Sequence, residues 1–153
     1  LDRRGNIYLG GTTLASGGDS QGLPAAAYVT VKYDADGNLL WEARYEGLEE
    51  TVGMAQGLAL EASGNAYVSG ASPGASGRTP AVIVVKYGSR GSERWVFRRE
   101  GMATAANNGV YADVAGTVWI TGNDSDGRDY LTAKYLSSEN TAQPETRSGT
   151  ERP

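Results

Sequence analysis

A short phrase is written three times along this chain, and a repeated unit restricts a fold more tightly than any single motif. Gly5-Asn6-Ile7-Tyr8-Leu9-Gly10-Gly11-Thr12 recurs as Gly64-Asn65-Ala66-Tyr67-Val68-Ser69-Gly70-Ala71, and more loosely as Gly116-Thr117-Val118-Trp119-Ile120-Thr121-Gly122-Asn123. A second phrase ends in Lys32-Tyr33, Lys86-Tyr87 and Lys134-Tyr135, and a third, Gly37-Asn38-Leu39-Leu40-Trp41, returns as Gly91-Ser92-Glu93-Arg94-Trp95. A period of roughly 50 residues with several strands in each unit predicts a propeller or a related array.

The middle unit displays the expected strands most clearly, at 55–60, 65–71, 81–87 and 93–98. Ser63-Gly64, the stretch 72–80 and Gly88 to Gly91 act as turn signals between them. The first unit supplies the last three strands of such a set, at 6–12, 28–34 and 38–45. The third supplies the first three, at 109–113, 117–122 and 130–136. No window sustains a 3.6-residue period, so no helix is expected. Val82, Ile83, Val84 and Val85 are apolar on both faces of their strand. Such a strand needs cover on both sides, which stacked blades provide and a two-sheet sandwich does not. The fold class expected is therefore all-β, a partial β-propeller of four-stranded antiparallel blades. Residues 1–47 form an incomplete blade, 48–101 a complete one and 102–136 another incomplete one. Beyond Leu136 the sequence to Pro153 offers no large apolar side chain, and 137–153 is expected to be a disordered polar tail.

Glycine, at 22 of 153 residues, is about twice as frequent as usual, which suits many tight turns. Histidine and cysteine are both absent. Ser-His-Asp and Cys-His catalysis, disulfides and thiolate metal sites are thus excluded within one chain. A net charge of −4 argues against a nucleic-acid footprint. The longest apolar run, Ala81 to Val85, falls far short of the ~20 residues of a membrane-spanning helix. Leu1 begins inside a repeat, because Leu1-Asp2-Arg3-Arg4-Gly5-Asn6 corresponds to Leu60-Glu61-Ala62-Ser63-Gly64-Asn65. A longer parent chain is expected on that ground.

The Gly-Asn-x-Tyr-x-x-Gly phrase, the β-rich strand ending Lys32-Tyr33-Asp34 and the Gly37-Asn38-x-x-Trp41 phrase together resemble the bacterial β-propeller repeat family known as SBBP. The resemblance covers residues 1 to about 136, and Tyr33 to Trp41 is its most specific stretch. Gly88-Ser89-Arg90-Gly91 replaces Asp34-Ala35-Asp36-Gly37 in the second unit, and Thr117 and Trp119 replace Asn and Tyr in the third. What the resemblance implies is a multi-bladed propeller in a large secreted or surface protein, with no shared enzymatic activity and no catalytic residues to carry over.

The individual residues suggest roles of their own. Gly37 and Gly91 fall where a hairpin turn needs positive φ. Trp41 and Trp95 are expected between neighbouring blades, as are Tyr8, Tyr67 and Trp119. Lys32, Lys86 and Lys134 are expected to lay their stems on apolar surface at strand ends and hold their ammonium groups in water. Asp34, Asp36 and Asn38 have the look of the start of a calcium loop, but Glu49 is too distant to complete it. A turn is the expected role. Asn123, Asp124, Asp126 and Asp129 form a denser acidic loop whose Arg128 supplies a counter-charge, so a solvated loop is expected ahead of a cation site. Glu49-Glu50 and Arg98-Arg99-Glu100 are read as solvated loop ends. Gly17-Gly18 and Gly74 to Gly77 open no helix and so offer no phosphate cradle. The Asp34 to Trp41 stretch also partly matches the tryptophan-docking motif of quinoprotein dehydrogenases, which packs blades and makes no active site.

These readings lead to no catalytic, cofactor-binding or metal-binding residue and to no cofactor. They point to a non-enzymatic scaffold or interaction module at an extracellular or cell-surface location. Its expected partners are a protein or carbohydrate ligand and the remaining blades of the parent, with no nucleic acid and no membrane insertion. The alternative is a fragment of a propeller enzyme, such as a quinoprotein-like dehydrogenase, whose active residues lie elsewhere. As an open arc the chain is expected to leave Tyr8, Val29, Val31, Leu131 and Ala133 without neighbours, to be marginally stable and to aggregate. Self-association is not expected to repair this, because joining the third unit of one chain to the first of another brings six strands together.

Overall fold

Two hydrogen bonds close each of the recurring tight turns and set the framework of the molecule. In the computed structural model, Asp34 N–H donates to Asn38 O (2.9 Å) and Gly37 N–H donates to Asp34 O (3.2 Å). Ala35, Asp36 and Gly37 thus form a short loop whose last residue stands at φ 87°, a conformation glycine adopts without a Cβ penalty. Gly91 repeats the arrangement at φ 85°, and the same bond pair recurs at Gly5, Gly64 and Gly116.

The structure describes residues 1–18, 24–47, 53–72, 81–100, 102–103, 109–124, 130–135 and 145–148. Among them there is no helix. The first sheet has the order β1 (Ile7–Gly18), β2 (Pro24–Tyr33), β3 (Leu39–Tyr45). The second is β4 (Ala55–Leu60), β5 (Ala66–Ser72), β6 (Ala81–Tyr87), β7 (Glu93–Glu100). In the third, β10 (Val118–Asp124) pairs on one side with β8 (Met102–Ala103) and β9 (Val110–Ala112). On its other side lies β11 (Tyr130–Tyr135), followed by β12 (Glu145–Ser148). All pairings are antiparallel.

The expected strands are all present, and two features differ from expectation. The first strand of the third unit is split into β8 and β9 along one edge of β10. The segment 137–153, expected to be a disordered tail, contributes β12, which pairs with β11 through Lys134↔Glu145, Thr132↔Arg147 and Leu131↔Ser148. The third unit therefore has a fourth strand. Backbone groups on the free edge of β11 supply its pairing, and a ladder of this kind needs no apolar side chains from the added strand.

The three sheets stack face to face, with the second in the middle. Tyr28 and the half-buried Trp41, Ala43 and Tyr45 of the first sheet pack on Leu58, Val68, Ile83, Val85, Tyr87 and Val96 of the second. The opposite face of the second sheet presents Tyr67, Val82, Val84, Trp95 and Phe97 to Val110, Ala112, Val118, Ile120 and Ala133 of the third. Every residue of β6 is consequently buried, as its two apolar faces require. The sheets approach closely at Gly70, where a Cβ would fall 2.5 Å from the Tyr28 hydroxyl oxygen. That hydroxyl donates to Ala71 O at 2.7 Å and ties the first sheet to the second.

Tyr8 and Ala133, expected to lack neighbours, are both buried, because each faces the adjacent sheet within the stack. Val29 and Val31 do lie on the outer face of the first sheet, beside the exposed Leu9. The side chain of Leu131 lies outside the described residues.

Candidate functional site

The same three-part cluster is built at one end of each sheet. An acidic residue opens the glycine turn, an aromatic residue follows on the next strand, and a lysine stands directly opposite that aromatic. The registers Tyr8↔Lys32, Tyr67↔Lys86 and Trp119↔Lys134 are equivalent in the three sheets. In the first, the Asp2 carboxylate accepts backbone N–H groups from Arg4 (2.9 Å) and Asn6 (3.0 Å), the Asn6 side-chain amide (2.8 Å) and the Tyr8 hydroxyl (3.3 Å). Lys32 Nζ lies 3.7 Å from Asp2 Oδ2 and 4.8 Å from the centre of the Tyr8 ring.

In the second sheet Glu61 accepts hydrogen bonds from Ser63, Asn65 and Tyr67. Lys86 Nζ stands 3.4 Å from its Oε2 and 5.1 Å from the Tyr67 ring centre. In the third, Asp113 accepts from the N–H groups of Ala115 (2.9 Å) and Thr117 (2.8 Å), and Lys134 Nζ lies 5.3 Å from the Trp119 ring.

This arrangement corrects the expectation for the lysines. Lys32 and Lys86 are buried and paired, not extended into water. A buried ammonium needs a carboxylate and further acceptors, and the turn acid delivers that carboxylate to it. The sequence carried the signal, because Asp2, Glu61 and Asp113 each precede the turn glycine by three positions and the aromatic by six.

The electrostatics match a holding role. Burial pushes the Asp2 carboxyl upward, but the donors from Asn6, Arg4 and Tyr8 outweigh it and hold the pKa down at about 2. Burial likewise opposes ionisation of Glu61, yet Ser63, Tyr67, Lys86 and Asn65 keep its pKa below the ordinary range. The Asp113 pKa is lowered chiefly by the Thr117 N–H. A carboxylate with such donors is a poor general base, since its ionised form is already satisfied.

At the glycine-turn end of the second sheet, Asn65, Lys86, Arg94 and Trp95 line a cavity of about 340 Å³. The Lys86 ammonium on this wall is already paired with Glu61 at 3.4 Å. At the counterpart place between the first and second sheets, the Ser89 carbonyl accepts from Trp41 Nε1 (3.1 Å) and Lys32 Nζ (3.5 Å). The same residue types there serve sheet packing.

The residues singled out in the sequence scatter rather than converge. Both Asp34 oxygens are used by the turn, accepting from the N–H groups of Asp36 and Asn38 and from the Asn38 amide. Asp36 stays on the exposed rim of that turn. Asp124 ends β10 opposite Met102, while Asp126, Arg128 and Asp129 lie outside the described residues, as do Glu49, Glu50 and Gly74 to Gly77. Arg98 and Arg99 lie within β7 and are half-buried, not loop ends, and Arg98 Nε pairs with Glu100 at 3.5 Å. Trp119, expected between sheets, faces outward and is 37% exposed, and among the described residues no further sheet covers it. Among the described residues no three His, Cys, Asp or Glu side chains gather as a metal site would require. Compared with known families and with characterised proteins, the sequence matches no family model and no relative.

Proposed function

We propose that this chain is a segment of an SBBP-type β-propeller, three successive blades of a non-enzymatic scaffold or interaction module working outside the cell or at its surface. The repeated acid–aromatic–lysine cluster supports this reading. Asp2, Glu61, Asp113, Lys32 and Lys86 are engaged in turns and sheet contacts. The antiparallel order places all five glycine turns at one end of the stack. The chain segments 19–23, 73–80 and 125–129, which lie outside the described residues, connect strands at the other end and differ in sequence from unit to unit, the second being the longest. A ligand surface belongs at that variable end, with a protein or carbohydrate as its guest, since loops carried on a rigid sheet framework are where recognition is usually placed.

A glycan array and a panel of purified extracellular proteins test the binding role. Binding is expected to disappear when 73–80 is replaced by a Gly/Ser segment of equal length, with thermal stability unchanged. Incubation with pyrroloquinoline quinone, calcium, a redox dye and a range of alcohols and sugars tests the alternative. Reproducible dye reduction would overturn the non-enzymatic reading.

A further inference from the structure

The contact between the first and second sheets and the contact between the second and third are built from equivalent residues. On one side stand the aromatic and lysine of the second and third strands: Tyr8 and Lys32, then Tyr67 and Lys86. On the other side stand aliphatic residues one position further along: Val68 and Val85, then Ile120 and Ala133. The two outer faces of the stack are the unused halves of this same contact. Leu9 is 54% exposed where its counterparts Val68 and Ile120 are 0% and 1%. Trp119 is 37% exposed where Tyr8 and Tyr67 are 6% and 0%. Tyr111, opposite Trp119 in the ladder, is 63% exposed.

We propose that the outer face of the third sheet docks on the outer face of the first sheet of a second copy of this chain, continuing the stack head to tail. The occupant is specified by the internal contacts. Sheet one presents Leu9, Val29 and Val31 at the positions of Val68, Ile83 and Val85, which pack on Tyr28, Trp41, Ala43 and Tyr45, and sheet three presents Trp119 and Lys134 at the positions of Tyr8 and Lys32, with Tyr111 where the second sheet has Ala59. The polar contacts transfer as well. Tyr8 donates to the Gly64 carbonyl (3.1 Å) and Lys32 to the Ser89 carbonyl (3.5 Å) of the next sheet. Their counterparts across the new contact are Trp119 Nε1 toward Gly5 O and Lys134 Nζ toward Ala35 O of the second copy. The strand count that seemed to forbid association does not apply, since the sheets meet through their faces and no edge is shared. Glu42 occupies the position that Val96 holds in the second sheet, so the docking is weaker than the internal contacts and reversible. A contact between two different faces gives a ring if the rotation closes and a filament if it does not.

Sedimentation of the purified 153-residue chain and two variants decides the matter. The parent chain is expected to double its mass, or exceed that, as concentration rises through the micromolar range, with a blue shift of tryptophan emission. Leu9→Glu blocks one face and Trp119→Glu the other, so each variant alone is expected to be monomeric with an unchanged β-sheet circular dichroism spectrum. Mixed in equal amounts they are expected to form a 1:1 pair, because each retains the face the other lacks. A parent chain that remains monomeric, a variant that self-associates like the parent, or a mixture that stays monomeric would each overturn the proposal. The pairing depends only on the stacked sheets, so the glycan and quinone experiments leave it untouched.

Discussion

Adding one methyl group at Gly91 and one at Gly37 tests the inter-sheet contact against an internal control. Both glycines close equivalent turns, at φ 85° and 87°. An alanine at either position meets the left-handed backbone penalty, about 1–2 kcal/mol, partly offset by about 0.4–1 kcal/mol from a stiffer unfolded chain. The surroundings then separate them. At Gly37 no atom lies within 4 Å of the added carbon, whereas at Gly91 the Trp41 ring carbon Cδ2 would stand 2.8 Å away. Trp41 cannot retreat freely, since its Nε1 is bonded to Ser89 O and its ring centre lies 5.9 Å from Tyr8 and 6.2 Å from Tyr87. Crowding of this kind adds about 1–3 kcal/mol. Gly37→Ala is therefore expected to cost about 0.5–1.5 kcal/mol, and Gly91→Ala about 2–4 kcal/mol. In a Trp41→Ala background the cost at Gly91 should fall to that at Gly37, a coupling of about 1–3 kcal/mol. Urea unfolding followed by far-ultraviolet circular dichroism, at one fixed protein concentration, measures all of these. Equal costs for the two glycines, or an unchanged Gly91 cost once Trp41 is removed, would refute the placement of the indole over the neighbouring turn.

Three further measurements probe the core and the closed-end clusters. Lys86→Ala removes the ammonium paired with the half-buried Glu61 carboxylate and is expected to cost about 1.5–3 kcal/mol in urea unfolding, whereas Arg44→Ala, which breaks an exposed pair with Glu42, should cost less than about 1 kcal/mol. Tyr28→Phe removes the donor to Ala71 O and is expected to lower stability by about 1 kcal/mol with no change in fold. Because the Asp2 carboxyl is held at about 2, below its ordinary 3.8, its contribution is complete above pH 4 and is lost as the pH falls toward 2. The urea midpoint should drop across that window, and drop less steeply in Asp2→Asn.

Much of the sheet framework was legible because its causes are local. Turn glycines flanked by β-branched runs predicted the strands, and the doubly apolar run Val82 to Val85 predicted a sheet covered on both sides. The errors fall where a neighbour in space decides the outcome. Trp119 has the chemistry of an inter-sheet anchor, and its exposure depends on whether another sheet follows. Lys32 and Lys86 were read along their own strands, while their partners Asp2 and Glu61 arrive from the preceding turn. β12 carries no apolar signal in its sequence Glu-Thr-Arg-Ser, and its ladder with β11 needs only backbone groups. Arg99 and Glu100 extend β7 beyond the strand expected at 93–98, and their charge hides that continuation from the sequence.

The clusters at the closed end also act as a clasp on alignment. Ile7 faces Tyr33, Ala66 faces Tyr87 and Val118 faces Tyr135, although the chain between the paired residues shortens from the first unit to the third. The connection cannot be what fixes this alignment, since its length changes while the alignment does not. A slip by one residue would turn every inward side chain outward and would separate each lysine from its aromatic and its acid. With alignment anchored at one end, lengthening the connection at the other adds only the slow entropic cost of a larger loop, about 0.6 kcal/mol per doubling. Such a unit can be copied along a chain and given a new connection each time without relearning how its strands pair, which is a route by which one sheet becomes an array of sheets with different loops.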